Sequence, residues 1–304
     1  MPEIIIHEVG PRDGLQAERQ VVSTDKKLGW IRALVAAGVD IVQVGSFVHP
    51  LKVPQMADTD SLFHALSGTA KGKSIFSGLV LNEKGLERGL ACGVEMFCLG
   101  VSASETHSQK NTGMGSEEAQ RRIIATAKEA VAAGKRVQVS VQSAFGCGFE
   151  GPVPEERVLG IARAYVEAGL TNISLADTAG HAHPEQVRRL FGRIRELAPE
   201  IQCTCHVHDT YGLGMANIYA ALDSGVTCFE TSFAGLGGCP FTMVTAGNVA
   251  TEDFVHALRR RGLRREIDLD AIIAVARDVA TYFGREMPGR VYKTGPLSYE
   301  AGAP

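Results

Sequence analysis

The chain has 304 residues, 45% of them hydrophobic and 21% charged, with a formal net charge of -3. That length fits one large domain or two ordinary ones and can bury a substantial core. The near-neutral balance, with a pI near 6.3, leaves no electrostatic footprint for nucleic acid or an anionic membrane, and apolar runs such as 41–44 are far too short to span a bilayer.

Met1-Pro2-Glu3 leads straight into Ile4-Ile5-Ile6, without a basic region or a cleavable apolar stretch. The seven cysteines are odd in number and scattered, which argues against a secreted disulfide framework. The expectation is a soluble cytoplasmic protein with reduced thiols. No low-complexity or Pro/Ser-rich linker divides the chain, so a single domain over 1–304 is expected.

Eight short apolar runs follow one another, at 4–9, 40–47, 74–80, 94–101, 136–142, 172–176, 201–208 and 226–233. Between them lie stretches of helical periodicity, at 24–37, 116–133, 154–168, 184–197 and 213–224, and another follows at 268–283. Ser23/Thr24 caps the first, and Pro184 opens the fourth. One joint recurs at 36–40, 91–95, 167–171 and 223–227: a helix end, a glycine (Gly38, Gly93, Gly169, Gly225), then a strand start. Eight such units in about 260 residues match a closed (β/α)8 TIM barrel. Residues 264–304 then form a C-terminal helical extension. A doubly wound open sheet is the alternative, but its glycine-rich dinucleotide turn is missing after the first run.

In such a barrel the chemistry lies where strands end. Polar residues cluster there: Arg12 and Asp13 after the first run, Ser46 after the second, Asp177 after the sixth, His206 to Asp209 after the seventh, and Gly235 to Pro240 after the eighth. Period-two alternation puts Gln202, Thr204, His206 and His208 on one face and Cys203, Cys205 and Val207 on the other. By itself the histidine pair reads equally as a structural feature. Asp13 and Asn248 add oxygen donors, and a mixed N and O set suits Mg2+, Mn2+ or Zn2+. No cysteine shares the histidine face, so a thiolate-rich structural zinc site is not expected. Arg12 beside Asp13 is either a surface ion pair or a fixed cation for a developing enolate. Cys239, among glycines, is either an inert thiol or a proton donor on a mobile loop.

Six stretches together resemble the 3-hydroxy-3-methylglutaryl-CoA lyase family. They are 8–16 (Glu-Val-Gly-Pro-Arg-Asp-Gly-Leu-Gln), 46–47 with 53–58, 102–105, 205–212 (Cys-His-Val-His-Asp-Thr-Tyr-Gly), 232–240 (Ser-Phe-Ala-Gly-Leu-Gly-Gly-Cys-Pro) and 247–253. The resemblance runs in order from about residue 3 to 285 and implies a metal-dependent TIM barrel of the lyase and Claisen-condensation superfamily. It makes Asp13, His206, His208 and Asn248 the ligands of Mg2+ or Mn2+, and Arg12, Asp13, His206, Cys239 and Asp177 the catalytic set. It assigns substrate contacts to Gln16, Gln43, Ser46, Asn111, Ser140 and Glu252. The implied reaction is a retro-Claisen cleavage of a CoA thioester, 3-hydroxy-3-methylglutaryl-CoA or a close relative, by a homodimer with no nucleic-acid or membrane partner. A condensing enzyme of the same superfamily and a non-catalytic acyl-CoA-binding homologue are the alternatives.

Three places depart from the family. Gln43 stands where the family carries Glu, so a charge is lost there. Residues 138–142 (Gln-Val-Ser-Val-Gln) replace Arg-Gly-Tyr-Val-Ser, which removes a cation and an aromatic. A second His-x-His, His181 and His183, enters the loop after the sixth run and is read as a loop and helix-capping feature. These changes around an intact metal set predict an altered acyl group rather than a dead enzyme.

Overall fold

A computed structural model describes residues 3–238 and 247–297. Eight strands form a closed barrel in chain order: β1 Ile5–Glu8, β2 Ile41–Ser46, β3 Ile75–Leu79, β4 Met96–Ser102, β5 Arg136–Gln142, β6 Asn172–Asp177, β7 Gln202–Val207 and β8 Cys228–Thr231. All neighbours are parallel, and β8 closes onto β1. The fold is the (β/α)8 barrel expected from the eight runs.

The helices are α1 Thr24–Ala36, α2 Thr59–Leu66, α3 Glu83–Ala91, α4 Glu105–Thr112, α5 Ser116–Ala132 and α6 Glu155–Glu167. They continue with α7 Pro184–Arg195, α8 Gly214–Asp223, α9 Thr251–Arg260, α10 Leu269–Phe283 and α11 Val291–Thr294. Six of these match the periodic stretches read from the sequence. Gly38, Gly93, Gly169 and Gly225, the four recurrent joints, all take φ between 77° and 87°. Only glycine enters that left-handed region without strain, so each one stops a helix and turns the chain back into the barrel. The expected cap on α1 differs in one respect: Ser23 occupies the N-cap position, but its side chain accepts no capping hydrogen bond.

Strands covered by helices are buried on both faces, which is why they read as continuous apolar runs. Outward residues such as Val42, Phe97, Ile173 and Phe229 join one large core with the helices, and that core extends to Leu269, Ile273 and Val279 of α10. Inside the barrel, Ile5, Ile41, Ile75 and Met96 form a separate apolar plug with Cys98 and Leu79. Above this plug the interior turns polar. No helix among the described residues is long and apolar enough to cross a membrane.

Candidate metal and active site

At the end of β1 the chain makes one wide turn, Gly10–Gly14, in which the Val9 carbonyl accepts from the amides of Arg12, Asp13 and Gly14 at 3.1, 2.7 and 3.3 Å. A Cβ on Gly10 would lie 2.6 Å from both Glu8 Oε1 and the Phe233 ring, so only glycine lets the turn sit this close to its neighbours. Such widened turns are frequent at functional sites. This one aims Arg12 and Asp13 over the barrel mouth. Arg12 Nε donates to Gln43 Oε1 on β2, and its Nη1 lies 2.5 Å from Asp13 Oδ1.

From β7, Nε2 of His206 faces Nε2 of His208 at 3.1 Å. The segment after β8 closes against this strand end, with His208 bridging to Asn248 and the Asp209 amide donating to the Gly247 carbonyl at 2.9 Å. Asn248 Nδ2 donates to Asp13 Oδ2 at 2.8 Å and to the Leu236 carbonyl at 3.0 Å. Its Oδ1 is buried with no partner among the described residues. Ligand atoms of Asp13, His206 and His208 all lie within 4.8 Å of one another. Two imidazole nitrogens facing each other and a carboxylate converge on one point, where a divalent cation would satisfy them together, and Asn248, bonded to that carboxylate, carries an unpartnered amide oxygen.

The electrostatics agree with the geometry. Burial pushes the Asp13 carboxyl up, but Arg12, the two histidines and the Asn248 amide outweigh it and hold the group below the usual carboxylate range. Burial would lower His206, yet Glu230 and Asp13 raise it on balance, so the site favours positive charge at this point. Glu230 projects from β8 and is also held well below its ordinary value. Burial opposes that shift, and the contacts from His206 and His7 override it.

A cavity of about 700 Å³ opens over these groups. Arg12, Asp13, His206, His208, Gln16, Gln43, Asn111 and Ser140 line it. Lys52, Lys84, Arg88, Lys110 and Arg122 line it as well, cations outside the expected site residues. The part of the wall beside Gln138 and Ser140 continues with Ser174 and Ala176, small or neutral throughout.

Ser46, Glu252 and Asp177 stand away from the cavity. Ser46 is buried behind the cavity wall, its amide and carbonyl bonded to Thr59 Oγ1. Glu252 is buried and accepts from the Ala234 amide at 3.0 Å. Asp177 ends β6 and takes the amides of His181 and Ala182 at 2.8 and 3.1 Å, so it shapes the loop of the second His-x-His. Its pKa rises to about 6 through burial. Cys239 lies outside the described residues. His181 packs its ring near Tyr211, and His183 pairs with Glu185 at the start of α7. Neither lines the cavity, in keeping with the loop reading, but His183, at the N-cap position of α7, makes no side-chain capping hydrogen bond. Glu230 and His7 were missed. The available signal was a charged residue and a histidine inside apolar strand runs, in step with the inward positions.

The HMGL-like family model matches residues 3–279. The chain belongs to the HMGL-like family. It is 35% identical to hydroxymethylglutaryl-CoA lyase YngG of Bacillus subtilis, over 95% of this chain and 96% of that protein. It is 36% identical to (R)-citramalyl-CoA lyase of Chloroflexus aurantiacus, over 98% of this chain and 96% of that one. Among solved structures, an HMG-CoA lyase from Acinetobacter baumannii in complex with coenzyme A and 3-methylmalate superposes with a TM-score of 0.92 at 35% identity, covering 99% of this chain and 98% of the other. The HMGL-like fold thus accounts for the whole barrel described above.

Proposed function

We propose that this HMGL-like protein is a divalent-cation-dependent carbon–carbon lyase acting on 3-hydroxy-3-methylglutaryl-CoA or a closely related 3-hydroxyacyl-CoA. The observation that carries this reading is the convergence of Asp13, His206 and His208 beside the Arg12 guanidinium, inside a cavity whose wall also bears five cations. The names of the relatives support it.

Asp13, His206, His208 and Asn248 would hold Mg2+ or Mn2+, for which oxygen and imidazole donors are suited. When bound, such a cation supplies Lewis acidity toward a hydroxyl and a carbonyl or carboxylate oxygen. The 3-hydroxyl proton passes to the Asp13 carboxylate, the C2–C3 electron pair moves into the thioester, and C3 leaves as a ketone. Arg12, braced by Gln43 and Asp13, stabilises the enolate charge that develops. Cys239 delivers the proton that turns the enolate into acetyl-CoA. Lys52, Lys84, Lys110 and Arg122 attract the CoA phosphates. Gln43 and Gln138 are neutral amides and Ser140 is small, so the acyl end of the cavity lacks the charges of the family pattern and suits a variant acyl group.

The same reading takes 1–304 as one barrel domain with 264–304 as its extension, working as a cytoplasmic homodimer. The test is a steady-state assay of purified protein with Mn2+ against the methylglutaryl and citramalyl thioesters. Acetyl-CoA release with acetoacetate or pyruvate as co-product is expected. Ordinary rates on the methylglutaryl thioester would remove the altered-substrate idea, and inertness toward every 3-hydroxyacyl-CoA would remove the lyase reading.

A further inference from the structure

Beneath the cation-binding point, three side chains from three strands stand in one row. The ladder registers put His7 of β1 opposite Glu230 of β8, and Glu230 opposite His206 of β7. Parallel pairing at these positions turns all three inward at one level. Glu230 Oε2 lies 2.8 Å from His206 Nδ1, and Glu230 Oε1 lies 3.3 Å from His7 Nδ1. On its far side His7 Nε2 is 2.8 Å from Ser77 Oγ on β3. His7 and Ser77 are fully buried and Glu230 nearly so.

We infer that Glu230 and His7 are positioning residues, a row of close side-chain contacts that sets the tautomer and ring orientation of His206 for cation binding. This rests on the proposed ligand set. An ionised carboxylate only accepts hydrogen bonds, so each histidine nitrogen facing Glu230 must carry the proton. In the neutral ring that assignment leaves His206 Nε2 bare and pointing at His208 and Asp13, as a ligand requires. It also leaves His7 Nε2 as the acceptor of the Ser77 hydroxyl. Both carboxylate oxygens are engaged, one per histidine, so Glu230 cannot swing toward His206 without releasing His7. Partners of this kind behind a ligating histidine fix its ring and raise its basicity.

The experiment measures Mn2+ affinity by the paramagnetic resonance of the free ion, together with 15N NMR of ring nitrogens in metal-free protein. Wild type should bind Mn2+ and H208A should not, which secures the ligand set. Glu230→Gln offers one acceptor oxygen instead of two, so it should weaken Mn2+ by about 10–100-fold and shift the His206 proton toward Nε2. Glu230→Asp keeps the carboxylate and should recover part of the affinity. His7→Leu, which leaves every ligand in place, should weaken Mn2+ in the same direction, and it decides the matter alone if the glutamine variant fails to fold. Wild-type affinity in both Glu230→Gln and His7→Leu, with the His206 tautomer unchanged, would overturn the inference while leaving the metal site intact. A wild-type protein with no Mn2+ affinity would overturn both.

Discussion

Arg12 is held from two sides, by the Gln43 amide and the Asp13 carboxylate, so its guanidinium is presented to the cavity in one orientation. A lysine cannot reproduce this, because its single ammonium lacks the planar fork that meets two acceptors at fixed angles. Arg12→Lys is therefore expected to lower kcat by about 10²–10³, the usual cost of losing one preorganised donor to a developing anion, with a smaller change in KM. An unchanged kcat in a stopped assay would remove the enolate role. Arg12, Asp13, His206 and His208 were legible in the sequence because they sit at strand ends, where a barrel collects its chemistry. Glu230 and His7 were not. They lie inside runs whose alternate members, Phe229 and Ile6, face the apolar core, and the runs as a whole read as buried strand. The physical reason is that this barrel is filled by apolar side chains only at its lower end, and by paired polar ones above.

At the scale of elements, the glycine joints were legible because a left-handed helix stop has one cheap solution. Helices α2, α3, α4, α9 and α11 were not among the periodic stretches, although the joint at 91–95 marked the end of α3; the first three show why. The first spans eight residues, the second carries Gly85 and Gly89 on its buried side, and the third, Glu-Thr-His-Ser-Gln-Lys-Asn-Thr, has no apolar stripe and starts on the Ser104 side-chain cap. Tertiary packing and capping decide such segments more than periodicity does. Two buried carboxyls tie β1, the turn after β8 and α9 together. Glu8 accepts from the Gly10 and Phe233 amides and from Thr251, and Glu252 accepts from Ala234. Burial raises Glu8 from 4.5 to about 7 and Glu252 from 4.5 to about 8. In the unfolded chain both titrate near 4.5, so between that pH and their folded values the native state holds protons that the unfolded state releases. Their contribution to stability is full below pH 4.5 and is lost as pH rises through 7 to 8. Glu252→Gln, uncharged at every pH, should show a shallower fall in urea midpoint between about pH 5 and 8.5 than wild type does. Parallel profiles would mean that Glu252 is already ionised in the folded protein.

At the scale of the whole molecule, barrel closure brings the site together. Asp13 and Asn248 are 235 residues apart in sequence and 2.8 Å apart in space, and both reach the histidines of β7 only because β8 pairs with β1. Eight repeated units made that closure legible. The neutral wall of Gln138, Ser140 and Ser174 is equally a property of the closed barrel, since it takes adjacent strands β5 and β6 to build it. The departures at 43 and 138–142 were visible in the sequence, and the resemblance already placed Gln43 and Ser140 against the substrate. The central claim, that this barrel uses a bound cation at Asp13, His206 and His208 to break a carbon–carbon bond in a CoA thioester, is tested most directly by one titration. Protein stripped by a chelator is supplied with Mn2+ in steps, and acetyl-CoA released from a 3-hydroxyacyl-CoA is followed. No release is expected before addition and saturable release after it, lost in the His208→Ala variant. Equal release from the stripped protein, or from that variant, would contradict it.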